Sequence, residues 1–179
     1  MMDRRVFGSA MFGGMAGLLA TPGLAAPTAA SAPGLPLVGV WRLLDAATVL
    51  ADGRELDLDG RKGPYKGTII YTPERIVAVQ IASARATLDP ATPFDRVPDA
   101  QRLPFLDTYE AYFGTYDVDE AAGIVRHHCE ASLDPTGPGL VYERRFSISG
   151  DILTIRTTAD KNVSADGHYN RLHWKRVRI

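Results

Sequence analysis

The chain has 179 residues, with 20 Lys and Arg against 21 Asp and Glu and a formal net charge of −1. That near-balance, without a basic run anywhere, argues against a nucleic-acid partner and against an anionic membrane surface. A single cysteine, Cys129, rules out an internal disulfide.

Residues 1–25 read as an export signal. Arg4-Arg5 forms a basic opening, an uncharged stretch (AMFGGMAGLLA) follows, and small residues lead to a cleavage site after Gly23-Leu24-Ala25. The apolar stretch is too short to span the roughly 30 Å hydrocarbon core of a bilayer, so no membrane span is expected in the mature protein. The arginine pair before a Gly-rich, weakly apolar segment is of the twin-arginine kind, with an ordinary secretory signal as the alternative. A periplasmic or secreted location follows. Residues 26–36, small and Pro-rich, form a flexible leader. Residues 37–179 are one domain's worth of chain, enough to bury a core.

From Leu37 the pattern is strand-like. LVGVWRLLDAATVL runs to a hairpin turn at Asp52-Gly53. Thr68–Tyr71 and Arg75–Ala82 form a second hairpin about Thr72-Pro73-Glu74. Residues 83–97 are a polar excursion, and the 95–110 region predicts one short helix, shortened or kinked by Pro104. Strands resume at Tyr112–Val118, Ile124–Leu133, Leu140–Ile148, Ile152–Thr158 and Tyr169–Val177. The fold class is therefore all-β: eight to ten short antiparallel strands in an up-and-down meander, best closed into a barrel because closure removes exposed edges.

Alternation sorts the candidate site residues. In Ile124–Leu133, one face carries Val125, His127, Cys129, Ala131 and Leu133; the other carries Ile124, Arg126, His128, Glu130 and Ser132. The first set is apolar apart from His127 and is expected inside. His127 and His128 point to opposite faces and cannot share a metal from a regular strand. No zinc-ligand spacing occurs either, so no metal and no cofactor are expected. His127 is the candidate acid–base group, with Tyr112 or Tyr116 as its partner. The bland alternative is a core histidine tied to a tyrosine or a backbone carbonyl. Reversed faces would instead make His128 and Glu130 the site. Cys129 is expected to be a packed thiol. Gln80, Tyr142, Arg144 and Phe146 are candidate ligand contacts, Arg144 because a lone arginine on an apolar face needs a partner or an anion.

LVGVWRLL, GTIIYTPE, YFGTYDVDEAAGIVRHHCEASLDP and RRFSISGDILTI together resemble the bacterial lipocalin-like domain family, over roughly Leu37 to Val177. The resemblance implies a lipocalin-like barrel with an internal pocket. Gly39-Val40-Trp41 is similar to the Gly-x-Trp entry of lipocalins, which implies that Trp41 closes the barrel floor and borders the ligand. It also implies an arginine over that ring: Arg176, with Lys175 and Arg178 as competitors. Three functions are open at this point. The first is binding of a small hydrophobic or amphipathic molecule. The second is a cofactor-independent isomerase, cyclase or lyase using a His/Tyr pair. The third is a filled structural barrel.

Overall fold

The computed structural model describes residues 36–157 and 167–178. The expected signal and nearly all of the leader lie outside them. Nine strands follow in order: β1 (Gly39–Val49), β2 (Glu55–Leu56), β3 (Lys66–Tyr71), β4 (Ile76–Ala82), β5 (Tyr109–Asp119), β6 (Ile124–Ser132), β7 (Val141–Ser149), β8 (Ile152–Thr157) and β9 (Tyr169–Arg176). Every pairing is antiparallel. β3 to β9 run as a meander, and β1 pairs with both β3 and β9, closing an eight-strand barrel. The two-residue β2 is added to the far end of β1, where Thr48 faces Leu56. The up-and-down barrel expected from the sequence is the fold found. Its one helical region is split at Pro104 into two single turns, α1 (Asp99–Arg102) and α2 (Pro104–Asp107). Proline cannot donate to the preceding turn, which is why the helix breaks there. Among the described residues, no helix is long and apolar enough to cross a membrane.

Alternation sets the interior. In β4, Val77, Val79 and Ile81 are buried while Gln80 is exposed. In β9, Asn170, Leu172 and Trp174 are buried between partly covered neighbours. The inward residues divide into two groups, a lower and an upper layer. The lower layer holds Trp41, Tyr71, Val77, Tyr116, Val125 and Leu153, all at most 3% exposed. The upper layer holds Ile81, Tyr112, Ile155 and Leu172, beneath the tight turn Leu58–Gly60.

The floor is sealed as the Gly-x-Trp resemblance implies. Trp41 is fully buried, and its indole N–H donates to Leu37 O at 2.8 Å. Arg176, directly opposite Trp41 in the β1–β9 register, lays its guanidinium 3.9 Å from the ring centroid. The same guanidinium donates to Val38 O at 2.7 Å and Pro36 O at 2.8 Å. Gly39 has to be glycine: its φ is +140°, and a Cβ there would lie 2.8 Å from the Arg176 guanidinium.

A bulge corrects one expected strand face. Tyr112 faces Ser132 and Phe113 faces Ala131, but Gly114 faces Cys129, so Glu130 is the extra residue of β6. The alternation that places Val125, His127 and Cys129 inside therefore reverses beyond it. Leu133 is exposed, and Ser132 takes the inner side opposite Tyr112. Gly114 permits the bulge, because a Cβ there would sit 1.9 Å from His128 O.

Candidate functional site

His127 is 1% exposed and held by two tyrosines from two other strands. The Tyr71 hydroxyl of β3 lies 2.9 Å from Nε2, and the Tyr112 hydroxyl of β5 lies 2.9 Å from Nδ1. Burial, reinforced by the nearby Arg144 charge, lowers the imidazole pKa to about 3, so the ring is neutral at any ordinary pH. Burial also raises both phenols: Tyr71 goes well above the usual tyrosine value, and Tyr112 rises although Arg144 opposes the shift. All three groups are therefore uncharged.

Proton accounting then fixes the direction of the chain. A neutral imidazole donates once and accepts once. Neither the Tyr71 nor the Tyr112 hydroxyl has a second hydrogen-bond partner among the described residues, but Tyr112 borders a cavity that could take its proton and Tyr71 does not, so we assign the Tyr71 proton to Nε2. Leaving a buried donor unmade would cost about 1–3 kcal/mol. Nδ1 consequently carries the ring hydrogen and donates to the Tyr112 oxygen. The hydroxyl proton of Tyr112 is the one left over.

Tyr112 and His127 border a partly open cavity of about 90 Å³ in the upper layer of the barrel. Its walls mix apolar side chains (Leu58, Ile69, Val79, Ile81, Ile155, Leu172) with Trp174 and the polar Arg144, Glu110, Asp59, Thr157 and Asn170. For scale, a cavity of about 150 Å³ holds benzene. Four of these residues, Asp59, Glu110, Tyr112 and Arg144, also line an outer recess of about 590 Å³ that extends over Arg61, Leu106, Tyr109, Leu133 and Tyr142. The two spaces thus share a wall at the barrel mouth.

The mouth is held by a polar latch. Asn170 donates to Asp59 at 2.7 Å and accepts from Thr48 at 2.8 Å, while the Asp59 backbone N–H donates to the Thr48 hydroxyl at 3.0 Å. Arg61 reaches Asp59 at 3.0 Å and Glu110 at 3.5 Å. The Tyr65 hydroxyl donates to Arg61 O at 2.6 Å and accepts from the Leu58 N–H at 2.8 Å, fixing the turn over the cavity.

Of the residues singled out in the sequence, His127, Tyr112 and Arg144 are brought together. Tyr142 and Phe146 share the inward side of β7 with Arg144, and the Arg144 guanidinium lies 5.3 Å from the Tyr142 ring centroid. Tyr142 lines the outer recess, whereas Phe146 packs on the core away from both spaces. Tyr116 stands directly across from His127 in the β5–β6 register, but its hydroxyl is not bonded to the ring. Its hydroxyl donates to Thr72 O at 2.9 Å, and its ring meets Tyr71 edge-on at 5.0 Å, one layer lower. Trp41 is likewise a floor residue and does not line the cavity. Gln80 points outward and accepts from the Tyr109 hydroxyl at 3.2 Å, because Val79 and Ile81 take the inner positions. His128 and Glu130 are on the outer face, where His128 pairs with Asp117 at 2.6 Å beside the Arg126–Glu143 bridge. Cys129 is a buried thiol whose pKa burial raises. Among the described residues, no group of three or more His, Cys, Asp or Glu side chains converges on a metal position.

Tyr71, Trp174 and Glu110 are site residues that the sequence reading did not single out. Tyr71 shares its strand face with Ile69, and Trp174 shares one with Leu172, so alternation alone would have placed both inside.

A lipocalin-like domain family model matches residues 38–177, and the chain belongs to that family. No curated protein matches it. The fold and the family together define a lipocalin-like barrel of the kind that in general holds small molecules.

Proposed function

We propose that this barrel is a cofactor-independent enzyme of the isomerase, cyclase or lyase kind, acting on a small, largely apolar molecule that enters from the outer recess. The observation that carries the reading is the Tyr71–His127–Tyr112 chain, buried and neutral, with its one spare proton assigned to the side that borders the cavity. His127 has both nitrogens engaged, so it acts as a positioning residue. Its Nδ1–H offsets charge that develops on the Tyr112 oxygen as Tyr112 donates to a substrate oxygen. Tyr112 is the catalytic acid. Glu110, a carboxylate on the wall common to cavity and recess, is the base that takes a proton from carbon. Such a pair needs no cofactor: it takes one proton and gives another within one site.

The test is turnover on small molecules extracted from the producing organism. Wild-type protein should convert many equivalents of one compound, and Tyr112→Phe should lower that rate by about 10²–10⁴-fold, the usual share of general acid–base catalysis. Depletion that stops at one equivalent per protein, with the compound recovered unchanged, would instead establish a carrier. That second reading is favoured by the outer recess, whose roughly 590 Å³ lies in the range of about 300–1,000 Å³ typical of ligand sites. The cavity of about 90 Å³ weighs against a filled structural barrel.

We also propose export to the periplasm, supported by the residue pattern of positions 1–25. Arg4→Lys with Arg5→Lys should leave precursor in the cytoplasm if the route is twin-arginine; undiminished export would point to the ordinary secretory route.

A further inference from the structure

Two buried side-chain polar atoms lack a hydrogen-bond partner among the described residues: Arg171 Nε and Trp174 Nε1. Arg171 is accounted for at the surface, since its other two nitrogens grip Glu55 at 2.6 and 2.9 Å. Trp174 is different. It is 1% exposed, it lines the cavity beside Tyr112, and its N–H meets no acceptor among the described residues. The other tryptophan, Trp41, has its N–H bonded to Leu37 O.

We infer that the Trp174 N–H is a second hydrogen-bond donor for the occupant of the cavity, working with the spare Tyr112 proton, and that the cavity therefore selects a carbonyl compound. This rests on the reading of the cavity as the substrate site. The chemistry follows from what the inner wall offers. Tyr112 O–H and Trp174 N–H both donate, and the Thr157 hydroxyl, which already accepts from the Asn170 N–H at 2.9 Å, also has a proton to give. The carboxylates, Asp59 and Glu110, lie at the latched mouth. An occupant therefore has to present acceptors inward and apolar surface around them, as a ketone or ester does and an alcohol or amine does less well. A space of about 90 Å³ admits the carbonyl and a few carbons, leaving the rest of the molecule in the recess. Donors set at a carbonyl oxygen strengthen as it gains negative charge, so the same pair would stabilise an enolate. Trp174 is thus a binding and specificity-determining residue for that class.

The chain has two tryptophans, so the full protein has two indole N–H signals. In a titration with cyclopentanone followed by proton–nitrogen NMR, the Trp174 signal should move saturably while the Trp41 signal stays. The carbonyl stretching band of the bound ketone should lie below its position in hexane. Trp174→Phe should move it part of the way back and weaken binding about tenfold, and Tyr112→Phe should do the same independently. A still Trp174 signal, with a band sensitive only to Tyr112→Phe, would overturn the Trp174 assignment and leave the Tyr112 reading standing. A band that neither substitution moves would overturn both. Cyclopentanone that fails to bind saturably would overturn the carbonyl class. The wild-type titration does not depend on whether Trp174→Phe folds.

Discussion

The two layers of the barrel interior contain the same kinds of residue and use them differently. Each has a buried tryptophan on a strand of the β1–β9 seam, and each has a half-buried arginine beside an aromatic ring. In the floor every polar atom is closed off within the protein: Trp41 donates to Leu37 O, and Arg176 is spent on Val38 O, Pro36 O and the indole face. In the upper layer Trp174 has no acceptor among the described residues, Tyr112 has a hydroxyl proton to give, and both line one cavity. Satisfied polar groups stabilise a fold, whereas spare ones cost stability unless a ligand uses them. The floor therefore reads as structural and the upper layer as the working end.

The largest expected effect tests the floor. Trp41→Ala removes a fully buried ring, the lid of its arginine and one hydrogen bond, and should cost about 3–5 kcal/mol in denaturant unfolding. A loss of a few tenths would show that the floor is not the keystone described. Gly114→Ala tests the seam between the layers. Its Cβ would press on His128 O, so a loss of about 3 kcal/mol or more is expected, beyond ordinary overpacking because backbone must move.

A third prediction uses pH to reach the upper layer. His127 is neutral when folded down to about pH 3, but titrates near 6.5 when unfolded. Below 6.5 the unfolded chain binds a proton that the folded one refuses, so stability falls as pH falls. Between pH 6.5 and about 4.5 the loss should reach about 2–3 kcal/mol. Carboxylates lowered by their partners, such as Asp117 and Glu55, contribute mainly at lower pH, because their unfolded values are 3.8 and 4.5. His127→Gln should flatten the slope in that window. His128→Gln should leave it steep and change stability at neutral pH by under about 0.5 kcal/mol, as its exposed pair with Asp117 is a surface bridge. A slope that survives His127→Gln would mean the imidazole is not buried neutral.

Much of this was legible in the sequence because it depends on local period. The strands, the break at Pro104 and the inward turn of His127 against the outward turn of His128 all follow from patterns of two or from proline. The partners of His127 did not follow, because they are a matter of strand register. Tyr71 is 56 residues away and meets the ring only through the closed order of the barrel. Tyr112 and Tyr116 share a face, and although Tyr116 is the direct cross-strand neighbour of His127, it is Tyr112, opposite Ser132 beyond the bulge, whose hydroxyl reaches Nδ1. Gln80 was misjudged for a different reason. IVAVQIA reads as one apolar run, yet its small outer residues Ala78 and Ala82 leave strict alternation intact, and that alternation puts Gln80 outside.

The smallest effect is the most direct test of the difference between the layers, since it makes the same chemical change in each. Trp41→Phe and Trp174→Phe both replace a nearly unexposed indole by a slightly smaller ring and delete one N–H. The packing loss should be similar, because each ring is replaced by one of the same kind in an apolar setting. In the floor the change also strands the buried Leu37 carbonyl and weakens the attraction to Arg176, adding about 1–2 kcal/mol. In the upper layer it removes a donor that has no protein acceptor, so nothing is stranded. Trp41→Phe should accordingly be the more destabilising of the two by about 1–2 kcal/mol in unligated protein. Equal losses in paired denaturant melts would mean that the Trp174 N–H is as fully used as that of Trp41. The upper layer would then have one donor fewer to offer a ligand.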